Sequence, residues 1–301
     1  MKQIVMVPEV IFEKNNFSMN ITALDTPESE LGEGIFLDEI SMTLYWVDIN
    51  NSRLFQYDLN SDELINTYEL AMNPSCIFSV VEGLLTYADS EGLKQLCTIT
   101  RGITHVTNHI EHNGKEFRAN DGIELSNGNL IFGTMSFIPE QCVGKIYTWN
   151  NHDNEMKAHQ LGIHIPNTFI SSEGLVYLSD SLLKRIYTFE LKGMNCLTSD
   201  DLTLWKDFSD CSYTPDGGCV SKRGYLHIAL WDGSAIGVFD KGGNLMHEIE
   251  LPVLKPTNCT LLDNRWLYVT SAKEGMTKEQ LLKYPLSGKT LLVDLGVEYE
   301  F

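Results

Sequence analysis

Six times along this chain an apolar, alternating strand runs into a turn and then into a second strand, and the copies are evenly phased. They are "LYWVDINNSRLFQYDL" at 44, "LLTYADSEGLKQLCTI" at 84, "LIFGTMSFIPEQCVGKIYTW" at 130, "LVYLSDSLLKRIYTFEL" at 175, "YLHIALWDGSAIGVFD" at 225 and "WLYVTSAKEGM" at 266. Aligned on Leu44, Leu85, Leu130, Val176, Leu226 and Leu267, they stand 41, 45, 46, 50 and 41 residues apart. A repeat of about 40 to 50 residues that holds several short strands is a propeller blade, which buries its faces only by stacking beside its neighbours around a channel. The spacing predicts an all-β, six-bladed β-propeller filling residues 1–301 as a single domain. Residues 1–30 are left over as an N-terminal segment that completes the last blade and closes the ring. One helix is expected, over 276–286 ("MTKEQLLKYPL"), inserted in the final blade and ended by Pro285.

The residues some 9 to 11 positions before each anchor are Glu33, Ser75, Asn120, Asn167, Asp216 and Asn258, all polar. The first strand of a propeller blade lines the channel, so one shared phase predicts a ring of these side chains at one mouth. Two carboxylates and three amides make an oxygen-rich set, which suits one divalent cation such as Ca²⁺, Mg²⁺ or Mn²⁺, with Zn²⁺ less natural. Any one of the six, taken alone, is an ordinary turn residue. In "SYTPDGGCV" Pro215 presets φ, Asp216 bonds its own backbone and Gly217 accepts φ > 0, so a turn is expected to swing the chain into the channel strand.

Charge and cysteine usage narrow the function classes. With 22 basic against 41 acidic residues the formal charge is −19, which repels phosphate backbones and anionic lipid, so neither nucleic acid nor a membrane surface is an expected partner. The seven cysteines are scattered without Cys-x-x-Cys, and are expected to be reduced, buried small hydrophobes. The apolar run Ile4–Val7 is too short for a signal peptide, and a cytoplasmic protein is expected. Gly-x-Ser-x-Gly is absent, and "SGKT" at 287 lacks the first glycine of a phosphate loop because Lys283 stands there. His109 and His112, beside His105, read as a solvated loop between blades.

Longer segments resemble the gluconolactonase, regucalcin (senescence marker protein) and luciferin-regenerating enzyme family of six-bladed propellers. The likeness runs through "LGEG" and "LYWVDI", "FRANDG" and "FGTM", "IPN" and "VYLSDS", "PDGG", "ALWDGSAIGVFDKGGNL", "ELPVLKPTNCT" and "YVTSAKEGMTKEQLLKYPLSG". The resemblance implies one divalent metal held by Glu33, Asn167 and Asp216, with Asp216 also acting as general base. It implies that Arg118 and Asn120 hold substrate hydroxyls; Asn258 falls in "PTNC", where the family often has Ser, and is a candidate for the pocket only. Three departures stand out: Ile35 where the family has Pro, Thr168 where it has Gly, and Ser136-Phe137-Ile138 where an acidic residue near the substrate usually follows "GTM". The implied activity is metal-dependent opening of a sugar lactone, with a lactone or sugar acid as small-molecule partner. Two other activities stay open: calcium or small-ligand binding with little turnover, and aryl ester or organophosphate hydrolysis at the same metal.

Overall fold

A computed structural model describes residues 10–14, 17–107, 117–190, 196–297 and 299–301. Its strands form six antiparallel sheets, five of four strands and one of five. The innermost strands are Gly32–Asp38, Cys76–Val81, Phe117–Glu124, Pro166–Ser172, Thr214–Val220 and Lys255–Leu262, opening blades 1 to 6 in order. Each packs against the next around the channel, and the last packs against the first, so the ring is closed. The chain is a six-bladed β-propeller. Phe17–Ala23 pairs with Leu291–Asp294 in blade 6, so the sheet containing the latest inner strand takes its fourth strand from the beginning of the chain.

Each blade is covered on both faces, which explains why its second strand is apolar almost without interruption. All six residues of Thr43–Asp48 are buried, and so are the first five of Leu226–Trp231. Aromatic rings fill the space between sheets, with Trp46 stacked on Phe55 at 5.1 Å between centroids. The acidic residue that closes several of these strands also has a structural reason. Asp48, fully buried, accepts hydrogen bonds from the backbone N–H of Glu30 (3.1 Å) and Leu31 (3.2 Å) and from Arg53 (2.6 Å). Asp180 does the same for His164 (3.0 Å) and Ile165 (3.3 Å). Each aspartate thus pins the chain just before its blade's inner strand, and so fixes the approach to Glu33 and to Asn167.

Two expectations need correction. The helix spans only Lys278–Lys283, because Thr277 caps it through a capping box with Gln280 and the chain leaves helical geometry at Tyr284, before Pro285 acts. The cysteines are free among the described residues, but only Cys76 and Cys259 are buried; Cys142 and Cys196 are exposed because they lie in connections outside the sheets. His109 and His112 lie outside the described residues.

Candidate active site

Every inner strand bulges near its polar ring residue. Register slips by one residue between Glu33 and Phe36, Ile77 and Ser79, Ala119 and Gly122, Asn167 and Ile170, Pro215 and Gly218, and Pro256 and Asn258. A bulge re-aims side chains that strict alternation would send into the sheet faces. Here it happens at one level all around the channel. "TPDGG" is therefore no turn: Thr214–Val220 is one continuous strand, with Asp216 and Gly217 together opposing a single residue of its partner. The glycine is still required, because a Cβ at 217 would stand 2.3 Å from Cγ of Asn258. Gly34 is required on two counts, its φ of +56° and a Cβ position 2.2 Å from the carbonyl oxygen of Ser75.

Glu33, Arg118, Asn120, Asn167 and Asp216 line one cavity of about 400 Å³ at this mouth. Leu31, Met135, Ile165, Leu182 and Trp231 add an apolar wall. Ser75 is fully buried behind the ring, bonded to Ala88, and does not line the cavity. Asn258 also stands behind it, its side chain bonded to the Glu33 carboxylate.

One directed chain of hydrogen bonds runs through the site. Arg118 Nη1 donates to Asn120 Oδ1 (2.5 Å), Asn120 Nδ2 to Asn167 Oδ1 (2.7 Å), Asn167 Nδ2 to Ser181 Oγ (3.1 Å) and Ser181 Oγ to the Pro215 carbonyl (2.7 Å). Arginine only donates and a carbonyl only accepts, so the two ends fix the orientation of both amides. The chain couples Arg118 to the residue just before Asp216. It also leaves Asn167 Oδ1 with a second lone pair.

The carboxylates are under electrostatic stress. Burial, followed by the charge of Asp121, pushes Glu33 up to about 8. Asp216 is pushed well above the usual carboxylate range by burial, then by Glu33 and Asp121. Its Oδ1 is a buried oxygen without a hydrogen-bond partner. Native interiors seldom leave such an atom unpaired, and a cation would satisfy it. No group of three His, Cys, Asp or Glu side chains at metal-binding spacing occurs among the described residues, and beside the two carboxylates the cavity offers the amide oxygen of Asn167. Two carboxylates and an amide oxygen form a hard donor set that neutralises a divalent ion.

Asp121 escapes a reading based on phase. It is 6% exposed, accepts from the N–H of Gly122 (2.8 Å) and Phe169 (3.3 Å), and burial raises it to about 6. It follows a ring residue directly, so alternation assigns it to a sheet face, and only the bulge brings its charge toward Glu33 and Asp216. The "Asn-Asp-Gly" step was the available signal.

Thr168, standing where the resemblance calls for glycine, adopts φ +56° all the same. That is the left-handed region, which a β-branched residue rarely occupies. Its Oγ1 donates to the carbonyl of Asp216 and lies 3.1 Å from Ser179 Oγ. The side chain therefore clamps Asp216 from behind. Thr168→Val keeps the strain and orphans that buried carbonyl, with an expected loss of about 1–3 kcal/mol in denaturant unfolding. Thr168→Gly, which relieves the strain, should lose less; a valine variant as stable as the parent would show that the clamp does nothing.

A family model described as the SMP-30/Gluconolactonase/LRE-like region matches residues 31–273. The chain belongs to this family. Among its relatives, regucalcin of Danio rerio is 27% identical over 290 residues, covering 93% of this chain and 96% of that one. L-arabinolactonase of Azospirillum brasilense is 25% identical over 284 residues, 89% of each chain. The crystal structure of regucalcin from Agrobacterium tumefaciens, described as a calcium-binding protein, superposes with a TM-score of 0.84 at 25% identity, covering 93% of this chain and 95% of that chain. No helix among the described residues is long and apolar enough to cross a membrane.

Proposed function

We propose that this protein is a lactonase that opens a sugar-type lactone in the cavity at the propeller mouth, with Glu33, Asn167 and Asp216 holding one divalent cation, calcium first among the candidates. The observation that carries the reading is the unpaired buried Oδ1 of Asp216 beside a second buried carboxylate and an amide of fixed orientation. The lactonase name of the Azospirillum relative supports the same reaction class. When bound, the cation supplies Lewis-acid polarisation of the lactone carbonyl and makes a nearby water more acidic.

The side chains do the rest. Asp216 takes a proton from the attacking water as the new C–O bond forms at the carbonyl carbon. When the bond from that carbon to the ring oxygen breaks, Asp216 returns the proton to the ring oxygen, and the product is a hydroxy acid. The N–H of Gly217 bonds the Asp216 carboxylate, which keeps it oriented while Oδ1 works. Arg118 and Asn120, linked to each other and to Asn167, hold the substrate's hydroxyls against the same frame.

The test is a panel of aldonolactones assayed on the purified protein with its cation content measured. Activity is expected to disappear with chelator and return with Ca²⁺, Mn²⁺ or Zn²⁺. If the cation-loaded protein opens no lactone, the reading fails. In that case binding with little turnover gains ground, a second reading favoured by the apolar Phe137 and Ile138, which stand where the resemblance leads one to expect an acid.

A further inference from the structure

We infer that Glu274 is a substrate-binding residue that, opposite Arg118, reads a pair of neighbouring hydroxyls on a polyhydroxylated lactone; this inference rests on the lactonase reading above. The three residues that follow Met135, at the end of the second strand of blade 3 and just beyond it, offer no carboxylate. Ser136 is buried, with its Oγ accepting from the N–H of Ile138 at 3.0 Å, and Phe137 and Ile138 are 52% and 53% exposed. A pocket for a polyol nonetheless needs an acceptor to match its arginine, because each hydroxyl both donates and accepts.

Glu274 supplies that acceptor from another blade. It lies just past Trp266–Ala272 in blade 6, lines the cavity together with Arg118, and is tethered on every side but one. Its N–H and that of Lys273 both donate to the Glu30 carbonyl (3.0 and 2.9 Å), and its own carbonyl accepts from Lys255 Nζ (2.7 Å). Oε1 accepts from Asn50 Nδ2 (2.8 Å), on the turn that follows Thr43–Asp48. Among the described residues, Oε2 has no hydrogen-bond partner. The carboxylate is thus held in place with one oxygen left to bind.

Arg118 is the complement. Its Nη1 is committed to Ala119 and Asn120, whereas Nη2 and Nε have no protein acceptor among the described residues. Of the charges acting on Arg118, Glu274 weighs most, ahead of Glu33 and Asp216. The lysine of the cavity wall, Lys184, is turned to the Cys211 carbonyl at 2.7 Å. A fork of donors facing a fixed acceptor is the arrangement that distinguishes a vicinal diol from an unsubstituted ring. Sites built to bond a hydroxyl reject analogues that lack it, because their polar groups are then left unpaired.

The experiment compares a fully hydroxylated aldonolactone with unsubstituted γ-butyrolactone in the cation-loaded parent, Glu274→Ala and Glu274→Gln. For the hydroxylated substrate, the alanine variant should raise KM by roughly 10- to 100-fold with kcat changed far less, and glutamine should fall between. For γ-butyrolactone no variant should differ from the parent, which a general loss of structure would not reproduce. Calorimetric binding of the matching glyconolactam, a neutral isostere that resists opening, should weaken at least tenfold in Glu274→Ala whether or not the protein turns over. Equal KM and equal lactam affinity in parent and Glu274→Ala overturn the inference. A parent that opens no lactone but loses lactam affinity in Glu274→Ala overturns the lactonase reading and leaves the inference standing.

Discussion

Replacing Asp216 by Asn is expected to slow lactone opening by a factor on the order of 10²–10⁴ and, at the same time, to make the cation-free fold more stable at neutral pH. The two effects share one cause. Asp216 is 5% exposed, with Glu33 and Asp121 close enough to push it well above its ordinary range, so its charge opposes folding while it serves the reaction. An amide of the same shape carries no charge to repel and can still offer an oxygen to a cation. What it lacks is the capacity to take the proton of the attacking water. Steady-state kinetics with cation and thermal melts with chelator measure the two halves separately. Undiminished turnover in Asp216→Asn would overturn the role of base, and a lower Tm without cation would show that the carboxylate stabilises the fold. A gain in stability alongside lost activity is the usual mark of a group retained for function.

The blades were legible because burial on both faces leaves a signal of short apolar strands at a period of about 40 to 50 residues. Leu44 and its five counterparts fall in second strands, and all six are buried, Leu44 fully. The polar phase was legible for the complementary reason: the channel mouth is the one place on these sheets where an oxygen ligand can face open space. Local backbone geometry was the part that stayed hidden. A bulge adds a residue without altering the residue types around it, so the sequence singles out Asn120 and passes over Asp121, and "TPDGG" reads as a turn, although both lie in inner strands. Thr168 shows the same limit from the other side. A β-branched residue argues against a left-handed conformation, and only its bonds to the neighbouring blades explain why it holds one. Glu274 had no periodic signal at all, since it sits in a connection, and its relation to Arg118 exists only once blade 6 closes on blade 1.

Without cation the fold should lose stability as pH rises from about 6.5 to about 8, and a divalent cation should cancel most of that loss. Glu33 titrates near 8 in the folded protein and near 4.5 as an ordinary carboxylate, and Asp216 and Asp121 are raised as well. Over that interval the folded chain holds protons that the unfolded chain has released. Stability then falls with pH, by about 1.4 kcal/mol per pH unit for each proton held in excess. Groups of the opposite sign act lower: burial holds His227 down to about 4 and lowers His159 and His247, so they add stability as pH rises to about 6.5, and the loss is unopposed by them from there to pH 8. Burial pushes Asp48 up, but the bonds from Arg53, Asn51, Leu31 and Glu30 outweigh it and hold it below its ordinary value, so its contribution is lost only at lower pH. A cation binds the deprotonated carboxylates, so its stabilisation should be small at pH 5 and large at pH 8, about 2.7 kcal/mol at a free concentration one hundred times Kd. Melting the protein across this range with chelator and with excess Ca²⁺ should give two Tm curves that diverge as pH rises. Parallel curves, or a chelated protein that gains stability between pH 6.5 and 8, would mean that Glu33 and Asp216 are not the carboxylates that meet the cation. The same divergence should be reduced in Asp216→Asn, because one of the two charges that the cation neutralises has been removed.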